Sequence, residues 1–150
     1  MNQETIQITY LSDQIEKLEY IDGKSDWIDL RAAENVTLKK GDYAKISLGV
    51  SMRLPVGYEA LIVPRSSTCE KFGIIQANHI GVVDESYGKY SSKDVWMMAV
   101  IAVRDTEIKV NDRICQFRII KHQPKITFEE IKPHGSDEDA RGSFGSTGMH

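Results

Sequence analysis

Residues 64–68 read PRSST, a guanidinium set beside hydroxyl side chains where an apolar run gives way to a polar one. Such a group can hold an anion, because a cation and free backbone N–H groups at a helix start converge there. Residues 78–87, NHIGVVDESY, bring together the amide of Asn78, Gly81 whose backbone can approach a ligand closely, Val82 and Val83, the carboxylate of Asp84 and the ring of Tyr87. A carboxylate at a strand end can serve as a general base. Residues 111–117, NDRICQF, carry Gln116, which strict alternation places with Ile114 and Arg118 on the face opposite Cys115, Phe117 and Ile119. The chain ends ARGSFGSTGMH, where Arg141, Phe144, Gly145, Ser146 and Thr147 offer a cation, a ring and hydroxyls among glycines.

Each group also has a plainer explanation. Serines are common helix caps, a single Asp is most often a turn residue, and a single Gln is usually a surface residue. His79 lacks a ligand-spaced partner and is assigned to packing or the surface.

The elements that must position these residues are strands. Ala44, Ile46, Leu48, Val50, Met52 and Leu54 alternate with Lys45, Ser47, Gly49, Ser51 and Arg53, the pattern of one half-buried strand. Ile6, Ile8 and Tyr10 alternate likewise, and YEALIVP, GIIQA, DRICQFRII and KITFEEI are further strand candidates. VWMMAVIAV, residues 95–103, reads as a strand covered on both faces, or a short buried helix. Turn signals (DGKSD, KKGD, LPVGY, KVND, HQPK) recur at short intervals, which points to a sandwich, barrel or jelly roll. Only residues 67–72 look helical, with Ser67 and Glu70 spaced as a capping box and Gly73 ending the turn.

At 150 residues the chain is about the size of one domain. A net charge of −3 carries no polyanion-seeking excess, so nucleic acid is not the expected partner. No stretch approaches the roughly 18 apolar residues of a membrane span, and nothing resembles a signal peptide, so a cytoplasmic protein is expected. Cys69 and Cys115 suggest neither disulfide nor zinc site, and both are read as reduced and buried. From residue 133 the chain turns polar and glycine-rich, so residues 1–132 are expected to form the domain and residues 133–150 a mobile arm.

Taken in order, DWIDLRAA, PRSST, NHIGVVDESY, NDRICQF and RGSFGSTG resemble the five motifs of the trimeric dUTPases, over residues 29–148. The resemblance implies an all-β jelly-roll (β-clip-like) fold with one short helix. It also implies Mg²⁺-assisted hydrolysis of dUTP to dUMP and pyrophosphate, limiting uracil entry into DNA and supplying dUMP for dTMP synthesis. In that reading Asp84 is the base that activates the water attacking the α-phosphorus, and Gln116 is the amide near that water. Tyr87 excludes a ribose 2′-hydroxyl, while Asn78 with the backbone of Gly81, Val82 and Val83 reads the uracil edge and rejects the thymine methyl. Arg65, Ser66 and Ser67 hold phosphates, and Asp29 acts on Mg²⁺ through water only. Arg141 pairs with the γ-phosphate, Phe144 covers the uracil, and Gly145, Ser146 and Thr147 belong to the phosphate-contacting end of the arm. The arm of the family reaches a neighbouring subunit, which implies a homotrimer with shared active sites.

Three places depart from the family pattern. The usual arm has two more residues between its arginine and phenylalanine than Arg141 and Phe144 allow. GKYSSKD replaces the common RGE after Tyr87, and Trp27 and Ile28 replace small residues before Asp29. Two alternatives stay open at this point: a dCTP-deaminase-like enzyme of the same fold, and a regulatory or interaction protein on this scaffold. An additional protein partner would meet the loop at residues 88–94.

Overall fold

The alternating patterns become strands in the computed structural model of the chain, which describes residues 3–21 and 23–142. In chain order these are β1 (Gln7–Tyr10), β2 (Ile28–Arg31), β3 (Val36–Leu38), β4 (Tyr43–Ser47), β5 (Val50–Arg53) and β6 (Tyr58–Pro64). After α1 (Thr68–Phe72) come β7 (Ile74–Gln76), β8 (Gly81–Val83), β9 (Met97–Ala102), β10 (Thr106–Ile108) and β11 (Arg113–Lys121). A 3₁₀ turn at Asp137–Asp139 follows. A four-stranded sheet, β2-β11-β6-β8, and a three-stranded sheet, β4-β9-β7, are joined by two ribbons, β1-β5 and β3-β10, all antiparallel. This is an all-β jelly roll with one short helix, as expected.

Leu30, Ile46, Leu48, Ile62, Ile74, Met98, Val100 and Ile114 fill the core. Trp96 meets Phe117 edge-on within it, ring centroids 5.1 Å apart. Burying a side chain of this size contributes roughly 1.5–3 kcal/mol, enough in sum to hold a chain with no disulfide among its described residues.

Several expectations are corrected. The run 44–54 is two strands, because Gly49 turns a corner at φ +69° and β4 pairs with β9 while β5 pairs with β1. A Cβ at position 49 would lie 2.8 Å from that of Ala33, so the corner requires glycine. β9 is a strand, but within the single chain only Met98, Val100 and Ala102 are buried, while Met97 on the other face is exposed. KITFEEI forms no strand: alternation makes a strand only where a neighbour offers an edge, and here Phe128 is 96% exposed and Ile126 and Ile131 are exposed too.

Ser67 caps α1 without a side-chain hydrogen bond, so the expected capping box is absent. The threonine hydroxyl takes over at this corner, accepting from Arg65 N at 2.8 Å and donating to Ile114 O at 2.9 Å. Gly73 does end the helix in the left-handed region. A capping box forms instead at Ser136 and Asp139, inside the polar tail. Cys115 is buried, and burial pushes its thiol well above the ordinary range, but Cys69 is exposed on α1.

Candidate active site

β11 runs between β2 and β6, with Gln116 opposite Asp29 on one side and Val63 on the other, so all three side chains share a face. Strict alternation sends Arg113 to the opposite, core face. A β-bulge intervenes: Arg113 pairs with Arg31 and Cys115 with Leu30, leaving Ile114 as the extra residue. Ile114 is therefore buried rather than projecting beside Gln116, and Arg113 is re-aimed to the face of Asp29. Alternation alone gave no sign of it.

The result is a carboxylate held by two cations. Asp29 Oδ1 meets Arg65 Nε at 3.0 Å, and Asp29 Oδ2 accepts from Arg113 Nη1 at 3.2 Å, with the carboxylate side chain only 14% exposed. Arg65 follows Pro64 at the end of β6, where Gln116 Nε2 donates to Pro64 O at 3.1 Å. Ser66 and Ser67 continue into α1, Ser66 exposed and Ser67 half-buried. Two guanidinium groups against one carboxylate leave this corner cationic, with hydroxyls alongside, which suits an anion. Both oxygens of Asp29 are engaged by arginine, at Arg65 and at Arg113. Among the described residues no cluster of three or more His, Cys, Asp or Glu is arranged to hold a metal.

A second group lines a pocket of about 450 Å³, formed by Asn78, Gly81, Val82, Val83, Asp84 and Tyr87 with Lys45, Ser86 and the start of β9. Among the described residues β8 pairs only with β6 and is the edge of its sheet, so its outer backbone groups can hydrogen-bond a flat ligand edge. The turn before it puts His79 at φ 60° and leaves Asn78 exposed at the pocket.

Asp84 directly follows β8. Ser86 grips its Oδ2 twice, through the backbone N–H at 2.9 Å and through a short hydroxyl hydrogen bond. The hydroxyl first, then that N–H, holds the carboxyl below the usual carboxylate range. Asp84 is thus ionised at neutral pH, with Oδ1 in none of the hydrogen bonds among the described residues. Tyr87 is held by its hydroxyl, which donates to Val95 O at 2.8 Å, and burial followed by the nearby Asp94 raises its ionisation range.

No hydrogen bond or ion pair among the described residues joins the two groups. Arg141 is described and exposed. Phe144, Gly145, Ser146 and Thr147 lie outside the described residues. Sequence reasoning missed Arg113, hidden by the bulge, and Ser86, two residues beyond Asp84 in the Asx-turn position that could have marked it.

The family model for dUTPase matches residues 24–148. The chain belongs to the dUTPase family. Its dUTPase relatives include the SPbeta prophage-derived deoxyuridine 5′-triphosphate nucleotidohydrolase YosS of Bacillus subtilis (strain 168), 49% identical over 146 residues, 95% of this chain and 97% of that protein. Among solved dUTPases, that of Staphylococcus bacteriophage 80alpha with dUPNHPP matches at TM-score 0.73 and 20% identity, over 98% of this chain and 100% of its own. That of phage phi11 of S. aureus, described with a structural Mg(II) ion, matches at TM-score 0.72 and 18% identity, over 88% and 99%. At these identities the solved dUTPases bear on the fold alone, and they share the jelly roll.

Proposed function

We propose that this chain hydrolyses dUTP to dUMP and pyrophosphate, which would limit uracil entry into DNA and supply dUMP for dTMP synthesis. The observation that carries the reading is the pocket at the β8 edge, with ionised Asp84 at its mouth and Tyr87 fixed beside it. Asp84 takes a proton from water as the water oxygen bonds to the α-phosphorus. The bond from that phosphorus to the bridging oxygen breaks, and pyrophosphate leaves. Gln116 lies near the water. A positioned base of this kind contributes roughly 10²- to 10⁴-fold in rate.

Asn78 and the outer backbone of Gly81, Val82 and Val83 receive the uracil edge, and the fixed ring of Tyr87 occupies the space of a 2′-hydroxyl. Arg65, Ser66 and Ser67 take the phosphates. Mg²⁺ would be held by triphosphate oxygens and waters, with Asp29 reached through water, and when bound it supplies neutralising charge to the phosphates. Because no hydrogen bond or ion pair among the described residues joins the two groups, we propose a homotrimer with shared sites. Residues 133–150 would then bring Arg141 to the γ-phosphate, Phe144 to the base, and Gly145, Ser146 and Thr147 to the terminal phosphates of a neighbouring subunit's substrate.

Pyrophosphate release measured across dUTP, UTP, dTTP and dCTP, with and without Mg²⁺, tests this reading. Release confined to dUTP and dependent on Mg²⁺ is expected. Uracil formation from dCTP, or no release from dUTP, would overturn it.

A further inference from the structure

Gln76 is a polar side chain in an otherwise apolar place. It is 3% exposed, ends β7, and stands opposite Val100 of β9 in the three-stranded sheet. Its side chain crosses to the other sheet, where Nε2 donates to Ile62 O at 3.2 Å. Ile62 is the register partner of Gly81 at the start of β8. A Cβ at Gly81 would lie 3.2 Å from Gln76 Nε2, so the amide sits directly against the backbone of the pocket wall.

The same residue also anchors the turn between β7 and β8. Gln76 O accepts from His79 N at 3.2 Å, and the next residue, Ala77, donates to Ala99 O at 2.8 Å. Ile62 and Gly81, which Gln76 touches, and Ala99, which holds the next residue, all line the pocket. Gln76 Oε1 is buried without a hydrogen-bond donor among the described residues. An apolar side chain of the same size would fill the space without a buried unpaired Oε1 but could not donate to Ile62 O, so packing alone does not explain a glutamine.

We propose that Gln76 is a specificity-determining positioning residue: it sets the distance of the β8 edge from β7 and β9, and thereby the depth available to a pyrimidine ring and its 5-substituent. The inference rests on the reading of the β8 pocket as the uracil site. A pocket that rejects one methyl group sterically does so by roughly 10- to 200-fold, so a displacement of β8 by a few tenths of an ångström is enough to erode the discrimination.

The test uses the full chain, unchanged and as Gln76→Met and Gln76→Leu. Met keeps the size of the side chain but cannot donate to Ile62 O, and Leu is a second apolar replacement that cannot donate either. Binding of dUMP and dTMP is measured by calorimetry, alongside kcat and KM for dUTP and dTTP and the melting temperature. For both variants the dUMP-over-dTMP preference is expected to fall about tenfold, with KM for dUTP raised and kcat little changed. An unchanged preference in a folded variant overturns the proposal, as does a loss shared equally by both nucleotides in step with melting temperature. If Gln76→Met does not fold, Gln76→Leu decides by the same criteria. If the unchanged chain prefers dUMP, a variant's loss of that preference supports Gln76 even where dUTP hydrolysis is absent. No preference in the unchanged chain overturns it.

Discussion

The Tyr87 hydroxyl donates to Val95 O at 2.8 Å, closing the loop 88–94 on itself; inside it Gly88 N donates to Asp94 Oδ2 at 3.0 Å. The unusual GKYSSKD segment is therefore a clasp that fixes the ring beside the pocket. Tyr87→Ala is expected to raise activity on UTP relative to dUTP, and Tyr87→Phe, which keeps the ring but loses the hydrogen bond that fixes it, to raise that ratio by a smaller amount. The ratio of kcat/KM for the two nucleotides checks both.

The clasp depends on glycine at position 88, where φ is +88° and a Cβ would lie 2.2 Å from Met52 O. Backbone cannot yield there as a flexible side chain would. Gly88→Ala is expected to cost more than the roughly 1–2 kcal/mol of the left-handed conformation itself, seen as a lowered urea midpoint.

Asp29 stands between Arg65 and Arg113, and removing its charge frees both cations from their common partner. Asp29→Asn is expected to lower stability by about 1–3 kcal/mol and to raise KM for dUTP, because the Arg65 guanidinium, proposed to hold phosphate, loses its fixed position. Chemical denaturation and steady-state kinetics measure the two effects separately.

Ser86 lowers the ionisation range of Asp84, so this carboxyl, the proposed base, keeps its charge to lower pH than a free carboxylate. Ser86→Ala removes the first cause of that shift, and the pKa moves up toward its ordinary value. The acid limb of kcat/KM against pH is then expected to move to higher pH, with the plateau above it little changed. A limb that stayed in place would separate Ser86 from the base.

The strands were legible where one face is buried, as in β6 and β11, whose ranges follow the apolar runs closely. That Asp84 and Tyr87 share one pocket was legible because they lie in one short segment with a turn. What sequence could not give depends on distant backbone. The bulge that turns Arg113 onto Asp29 breaks the period of two, and the corner at Gly49 divides one continuous pattern between two sheets. KITFEEI has the pattern of a strand and no strand partner among the described residues. Ser67 and Glu70 have the spacing of a capping box, yet Thr68, held by Ile114 O, takes the Arg65 N–H instead.

The role of Asp84 is tested most directly by pyrophosphate release from dUTP in a single turnover, comparing the unchanged chain with Asp84→Asn at equal nucleotide occupancy. The carboxamide keeps the shape of the side chain and cannot take the proton of the attacking water. A fall of roughly 10²- to 10⁴-fold in rate with dUTP binding retained is the expected result. Release at a near-normal rate would contradict the assignment of Asp84 as the base.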